Sequence, residues 1–205
     1  MTNVNSRSTF QMIKYFTNRE LSQKLEIKLA KWKRWSREFL LPDPLGGLQS
    51  GYARHYHPDE AFRVYLGGCL VAELKFSIPE AKRIMSDLET WLEKNGFRFN
   101  ADPLEKQSAP EPAKRYLIRV FRNKNQMFWY EIRGIIADEK QIYRNIELNT
   151  ELYEKTIIDY SGVQHDDSDS DVNYYKGVNI THLLINFLKR LDLSMTHYHA
   201  LSAVR

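Results

Sequence analysis

Six cations fall within fourteen residues of this chain, Lys24, Lys28, Lys31, Lys33, Arg34 and Arg37, and Glu26 is the one acid among them. A solvated helix face usually mixes its signs, so a short run of one sign points to a polyanionic partner. Lysine ammonium groups act on phosphate as point charges, whereas a guanidinium can bond guanine O6 and N7 together. Arg34 is therefore the candidate for reading a base edge. Lys28, Lys31, Lys33 and Arg37 are candidates for phosphate or base contacts. A further cation, Arg54, lies in Gly51-Tyr52-Ala53-Arg54-His55-Tyr56, where the Tyr52 or Tyr56 hydroxyl can add a hydrogen bond to phosphate. Tyr56 is equally a candidate for packing that segment down. Thr17 opens a helix, a position where free backbone amides can bind phosphate, and capping accounts for it equally well.

The other chemistry-bearing sets are weaker. Asp167, Asp169 and Asp171 alternate as in a calcium loop, yet the positions that require glycine and a bidentate glutamate hold Val172 and Val178. That points to a solvated acidic loop. His197 and His199 have no neighbouring cysteine or clear third ligand, so a tail fits them better than a metal site. There is no nucleophile elbow, phosphate-cradling glycine loop, HExxH or dinucleotide fingerprint, and the expectation is a protein that is not an enzyme and carries no cofactor. Phe128, Trp129, Tyr130, Tyr174 and Tyr175 are candidates for a ligand pocket or partner surface, with hydrophobic core as the commoner use of such residues.

Elements to position these residues can be read from caps and periodicity. Thr17-Asn18-Arg19-Glu20 is a capping box that starts a helix over about 18–25. Glu26 and Ile27 form a short turn, and a second helix over about 28–39 carries Leu29, Trp32, Trp35 and Phe39 at near-helical spacing. Leu29, Trp32 and Phe39 fall on its packing side, while Trp35 faces either the core, the favoured side, or phosphate. Lys33, Arg34 and Arg37 lie opposite, with Lys31 at the margin. Pro42 and Pro44 end this helix by Leu40 or Leu41, leaving about 46–56 to form a hairpin or wing. His57-Pro58-Asp59-Glu60 opens a third helix to about Val71, buried through Phe62, Tyr65, Leu66, Cys69 and Leu70. Its Gly67-Gly68 pair either weakens it or permits close packing. Ser77-Ile78-Pro79-Glu80 caps a fourth helix that stops at Asn95-Gly96. Beyond it, Arg115–Phe121 and Met127–Ile136 read as a hairpin, Lys155–Tyr160 as a third strand and Val178–Leu191 as an amphipathic helix.

Among 205 residues with a net charge of +4, the basic excess is confined to the start: residues 1–60 hold ten Lys and Arg against six Asp and Glu, whereas residues 101–205 are close to balanced. A single cysteine, Cys69, excludes an intramolecular disulfide and fits a reducing compartment. No apolar run approaches a membrane span and the polar start lacks the core of a signal peptide, so the expected location is cytoplasmic with no membrane partner. Pro103, Pro110 and Pro112 mark an extended linker. The expected division is a flexible N-terminus over 1–14, a DNA-binding domain over 15–99, a linker over 100–113, an α+β domain for sensing or dimerisation over 114–194, and a tail over 195–205.

Residues 15–88 resemble the DNA-binding domain of the MerR transcriptional regulators of bacteria. Thr17-Asn18-Arg19-Glu20-Leu21-Ser22 is similar to the capped first helix of that family, and Lys31-Trp32-Lys33-Arg34-Trp35-Ser36-Arg37 with Leu40-Leu41-Pro42 resembles its recognition helix and exit. Gly51-Tyr52-Ala53-Arg54-His55-Tyr56 is similar to the wing signature with one extra residue, which makes Arg54 and Tyr56 the counterparts of the wing's arginine and tyrosine. Lys75-Phe76-Ser77-Ile78-Pro79-Glu80 resembles the start of the fourth helix. The resemblance implies a mainly α winged helix-turn-helix domain followed here by a small α+β domain. It also implies a homodimer on a near-palindromic double-stranded operator, action on RNA polymerase at a promoter, and a small-molecule or protein effector. Family members carry a long pairing helix after the fourth, where this chain has Gly96 and three prolines. The alternatives are an architectural, excisionase-like DNA-binding factor and a metal-dependent or ligand-binding protein acting through the C-terminal domain.

Overall fold

The computed structural model describes residues 15–43, 53–97, 115–123, 127–143, 146–160 and 174–193. At the start of the first helix, the Thr17 hydroxyl accepts a hydrogen bond from the Glu20 amide at 3.3 Å while the Glu20 carboxylate accepts from the Thr17 amide at 2.7 Å. This reciprocal cap satisfies two otherwise orphaned donors and launches α1, Asn18–Lys24. The turn that follows places Glu26 at φ 56°, a left-handed conformation uncommon for a residue with a Cβ. The Ser22 hydroxyl donates to the Ile27 carbonyl at 2.7 Å and the Ile27 amide donates to the Ser22 carbonyl at 2.9 Å, closing the turn before α2, Leu29–Phe39. A two-residue antiparallel ladder joins β1, Phe16–Thr17, to β2, His55–Tyr56, with Phe16 opposite Tyr56.

The third helix, α3 over Pro58–Ala72, begins on a cap in which His57 Nδ1 accepts from the Asp59 amide and Glu60 accepts from the His57 amide. Its Gly67 and Gly68 are what allow α2 to lie against it. A Cβ built on Gly68 stands 2.2 Å from Trp35 Cε3, and one on Gly67 stands 2.6 Å from Phe39 Cγ. Of the two expectations for the glycine pair, close approach is the one realised. The fourth helix, α4 over Ile78–Lys94, carries the Ser77–Glu80 capping box and stops where Gly96 turns to φ 85° and the Phe97 amide returns to the Leu92 carbonyl.

The sheet is antiparallel throughout, in the order β5-β4-β3-β6, built from β3 (Arg115–Arg122), β4 (Phe128–Tyr143), β5 (Ile146–Asp159) and β6 (Tyr175–Asn179). The expected hairpin is therefore present, with Ile118 opposite Ile132 and Val120 opposite Tyr130. Two expectations are corrected. The third strand is not limited to Lys155–Tyr160 but begins at Ile146, because the ladder with β4 runs on past a register shift between Ile135 and Ala137. The last helix, α5, spans Ile180–Arg190 rather than starting at Val178, because residues 175–179 pair with β3 and Asn179 caps the helix through the His182 amide at 2.9 Å.

The result is a mixed α+β protein in which one buried cluster runs from Phe16 to Leu193. The regions over 15–99 and 114–194, expected as separate domains, contribute to it jointly. Phe187 of α5 meets Phe62 and Tyr65 of α3 at 5.3 and 5.4 Å between ring centroids, and Tyr116 of β3 meets Trp91 of α4 at 5.0 Å. The expected linker over 100–113 lies outside the described residues.

Candidate nucleic-acid interface

Two tryptophans and a phenylalanine decide which way α2 faces. Trp32, Trp35 and Phe39 recur at helical spacing and are buried, so they turn one side of the helix into the core. Ser36 is buried beside them. Leu29 is not, contrary to expectation: at the first position of α2 it is 36% exposed. The opposite side carries Lys33, Arg34 and Arg37, with Lys31 at the margin against the Trp35 ring and Lys28 at the N-cap, all five exposed.

These five cations differ from most others in the described residues. Arg54 pairs with Glu60, Arg63 with Glu89, Lys82 with Glu38, Arg122 with Glu80, and both Arg119 and Arg133 with Glu131. Among the described residues no hydrogen bond or ion pair engages the side chains of Lys28, Lys33, Arg34 or Arg37, and the Lys31 ammonium lies 4.7 Å from the centre of the Trp35 ring. Glu38, on the neighbouring position, is already committed: its carboxylate accepts from Lys82 Nζ at 2.8 Å, which holds its pKa below the ordinary value, with Arg34 and Arg37 adding smaller fields. The helix thus presents positive charge without internal neutralisation on an element about 10–12 Å across, a fit to a DNA major groove of about 12 Å.

Arg54 is placed differently from the sequence reading, and Tyr56 follows one of its two alternatives. Arg54 Nη1 donates to the Leu41 carbonyl at 2.9 Å and Nη2 to Glu60 at 3.2 Å, so this guanidinium ties the exit of α2 to the first turn of α3. Tyr56, a candidate either for a phosphate contact or for packing its segment down, is 1% exposed, which accords with packing. Its hydroxyl donates to Asn18 Oδ1 at 2.7 Å and, having one proton, accepts from Ser36 Oγ at 2.7 Å. Burial pushes the phenol pKa up, an effect opposed by the Ser36 hydrogen bond. Thr17 is occupied by its cap. Gly51 and Tyr52, and the wing up to that point, lie outside the described residues.

Sequence reasoning missed Asn18 and Ser36 as partners of Tyr56, and Arg63, whose Nε donates to the Phe39 carbonyl at the end of α2 at 3.0 Å. The one available signal was Ser36 itself, a polar residue on the apolar side of a helix, which needs a buried partner.

The remaining candidates do not assemble into a site. Phe128, Trp129 and Tyr130 are buried, while Tyr174 and Tyr175 are 88% and 52% exposed, so the five do not line one pocket. Tyr130 donates to Asp87 at 2.5 Å, and burial together with that carboxylate pushes its pKa far up. The Cys69 thiol is pushed up to about 12 by burial, with Glu73 adding to it, which leaves it protonated and unreactive at neutral pH. Among the described residues no group of three or more His, Cys, Asp or Glu is placed to hold a metal ion, and no helix is long and apolar enough to cross a membrane. Asp167, Asp169, Asp171, His197 and His199 lie outside the described residues. No protein-family model, curated protein or solved structure matches this chain, so the functional reading rests on residues and geometry alone.

Proposed function

We propose that this protein is a sequence-specific, double-stranded DNA-binding regulator of transcription. The observation that carries the reading is the exposed surface of α2, where Lys28, Lys31, Lys33, Arg34 and Arg37 stand without carboxylate partners while Trp32, Trp35 and Phe39 are buried. In this reading α1 and α2 form a helix-turn-helix with α2 in the major groove, and the segment up to Tyr56 forms a wing against flanking backbone. Arg34 reads a base edge, and Lys28, Lys31, Lys33 and Arg37 engage phosphates or base edges as the groove passes. This is the arrangement that the MerR-like sequence pattern implies, with two copies on a near-palindromic operator in the cytoplasm. Arg54 serves it indirectly, by fixing the end of α2.

Fluorescence anisotropy on duplexes recovered from genomic fragments, repeated across a salt series, tests the reading. Log affinity should fall with log salt by about 0.9 for each phosphate engaged. Lys31→Ala should weaken all duplexes alike and flatten that slope by about 0.9. Arg34→Ala should instead erode the preference for recovered over random duplexes, a loss of about 1–3 kcal/mol of discrimination. If neither substitution alters binding, α2 is not the DNA-contacting element.

A further inference from the structure

We infer that Tyr56 is a positioning residue that sets the rotation of α2 about its own axis, and through it the sequence preference of the bound protein. The inference rests on the DNA-binding reading of α2 and adds a specificity determinant that touches no DNA.

Five contacts converge on this residue. The β1–β2 ladder fixes its backbone, with Phe16 opposite. Its hydroxyl is held between Asn18, the first residue of α1, and Ser36, in the third turn of α2, at 2.7 Å from each. Its ring is met edge-on by Trp32 at 5.9 Å between centroids, and the Arg54 guanidinium lies 5.4 Å from its centre. One phenol therefore connects both helices of the pair and the strand that precedes α3. Both hydrogen bonds are short, and the one to Ser36 is buried, so its loss removes a partner from a polar group inside the core.

Ser36 occupies the buried side of α2, one position before Arg37 and two after Arg34. Its oxygen lies closer to the helix axis than the ends of the long cationic side chains do. A rotation that shifts Ser36 by about 1 Å consequently carries the guanidinium groups further, on a helix about 10–12 Å across with its side chains. Phosphate attraction tolerates such a shift because it falls off slowly with distance, whereas a bidentate contact to a base edge does not. Removing the Tyr56 hydroxyl should then reduce discrimination more than it reduces affinity.

The test is Tyr56→Phe in the full chain. It is measured against a duplex recovered from genomic fragments by the wild-type protein and against a random duplex of equal length, at one salt concentration. Binding to the recovered duplex should weaken about tenfold, with the random duplex changed by less than about twofold. Amide hydrogen exchange without DNA should speed up in α2 while α4 is unchanged. Ser36→Ala should reproduce both results, and the double variant should add little to either single one, as expected of residues acting through one bond. Equal weakening on the two duplexes, or exchange rising alike in α2 and α4, overturns the positioning role and leaves the DNA reading standing. Failure of the wild-type protein to retain any duplex overturns the DNA reading and this role with it. If Tyr56→Phe does not fold, Ser36→Ala decides the matter by the same measurements.

Discussion

Gly68→Ala should destabilise the protein, even though alanine is the better helix former. The added methyl would stand 2.2, 2.3 and 2.6 Å from Cε3, Cζ3 and Cδ2 of Trp35. Carbon atoms meet favourably at about 3.5–4.0 Å, so the overlap exceeds about 1 Å against three ring atoms at once. The indole has little room to retreat. It is 5% exposed, and Lys31 lies over its ring at 4.7 Å. Relief must come from separating α2 from α3 or from turning the ring off its rotamer, at about 1–3 kcal/mol for an overpacked core. Against this stands the gain of about 0.8–1.0 kcal/mol for replacing glycine within a helix. Contacts this short against a rigid ring put the cost at the upper end, about 2–3 kcal/mol, so the overlap wins by about 1–2 kcal/mol. For a chain of this length that lowers the melting temperature by about 2–4 °C for each kcal/mol. Differential scanning calorimetry reads the change, with Gly177→Ala as the control. There the nearest atoms to an added Cβ are at 3.6 Å or more, so that variant should melt with the wild type. A Gly68→Ala protein that melts at or above the wild-type temperature would show that α2 does not bear on the glycine as described.

Two further outcomes follow from the titration of buried and capping groups. Cys69, with its thiol pushed up to about 12, should resist iodoacetamide at pH 8 in the native protein and react once the chain is unfolded; rapid native labelling would contradict its burial. The Glu20 and Glu80 carboxyls are held below their ordinary value of 4.5, chiefly by the amides of Thr17 and Ser77. Because their folded pKa values are depressed, the stability they contribute is present above about pH 4.5 and is lost as pH falls through the folded values. Urea unfolding at successive pH values should show that decline, and it should be shallower in Glu80→Gln.

What was legible in the sequence is what local chemistry decides. Thr17 to Glu20 and Ser77 to Glu80 each close within one helical turn, so their pattern alone placed the starts of α1 and α4. The stop at Asn95-Gly96 needed only a glycine able to take positive φ. Trp32, Trp35 and Phe39 were assigned to the core by periodicity, and the cations opposite them to the surface. Leu29 was misassigned because periodicity gives an angle around the helix and not how far along it the neighbouring surface extends. Residues 175–179 were drawn into the final helix because Val178 fits its apolar stripe, and only pairing with β3, more than fifty residues earlier, makes them a strand.

The misplacement of Arg54 and the choice left open at Tyr56 have the same origin, and both bear on how α2 is held. A cation and a phenol beside a basic helix read as further contacts for an anion, because a sequence displays their chemistry and hides what they face. Here a carbonyl at Leu41 and a carboxylate at Glu60 take the guanidinium, and Ser36 and Asn18 take the phenol. The α1–α2 turn is likewise braced from far away. Arg190 of α5 donates to the Leu25 carbonyl at 2.9 Å and pairs with Glu26 at 3.0 Å, and Lys24 pairs with Asp192 at 2.5 Å. Each exposed pair contributes little alone, about 0–1 kcal/mol. Yet the Arg190 bond to a carbonyl at the end of α1 falls beside Glu26, whose left-handed backbone costs about 1–2 kcal/mol to hold. The helix pair is thus clamped by Tyr56 between its members, by the α3 glycines behind it and by α5 at its turn. The surface of α2 that carries Lys33, Arg34 and Arg37 is touched by none of these clamps.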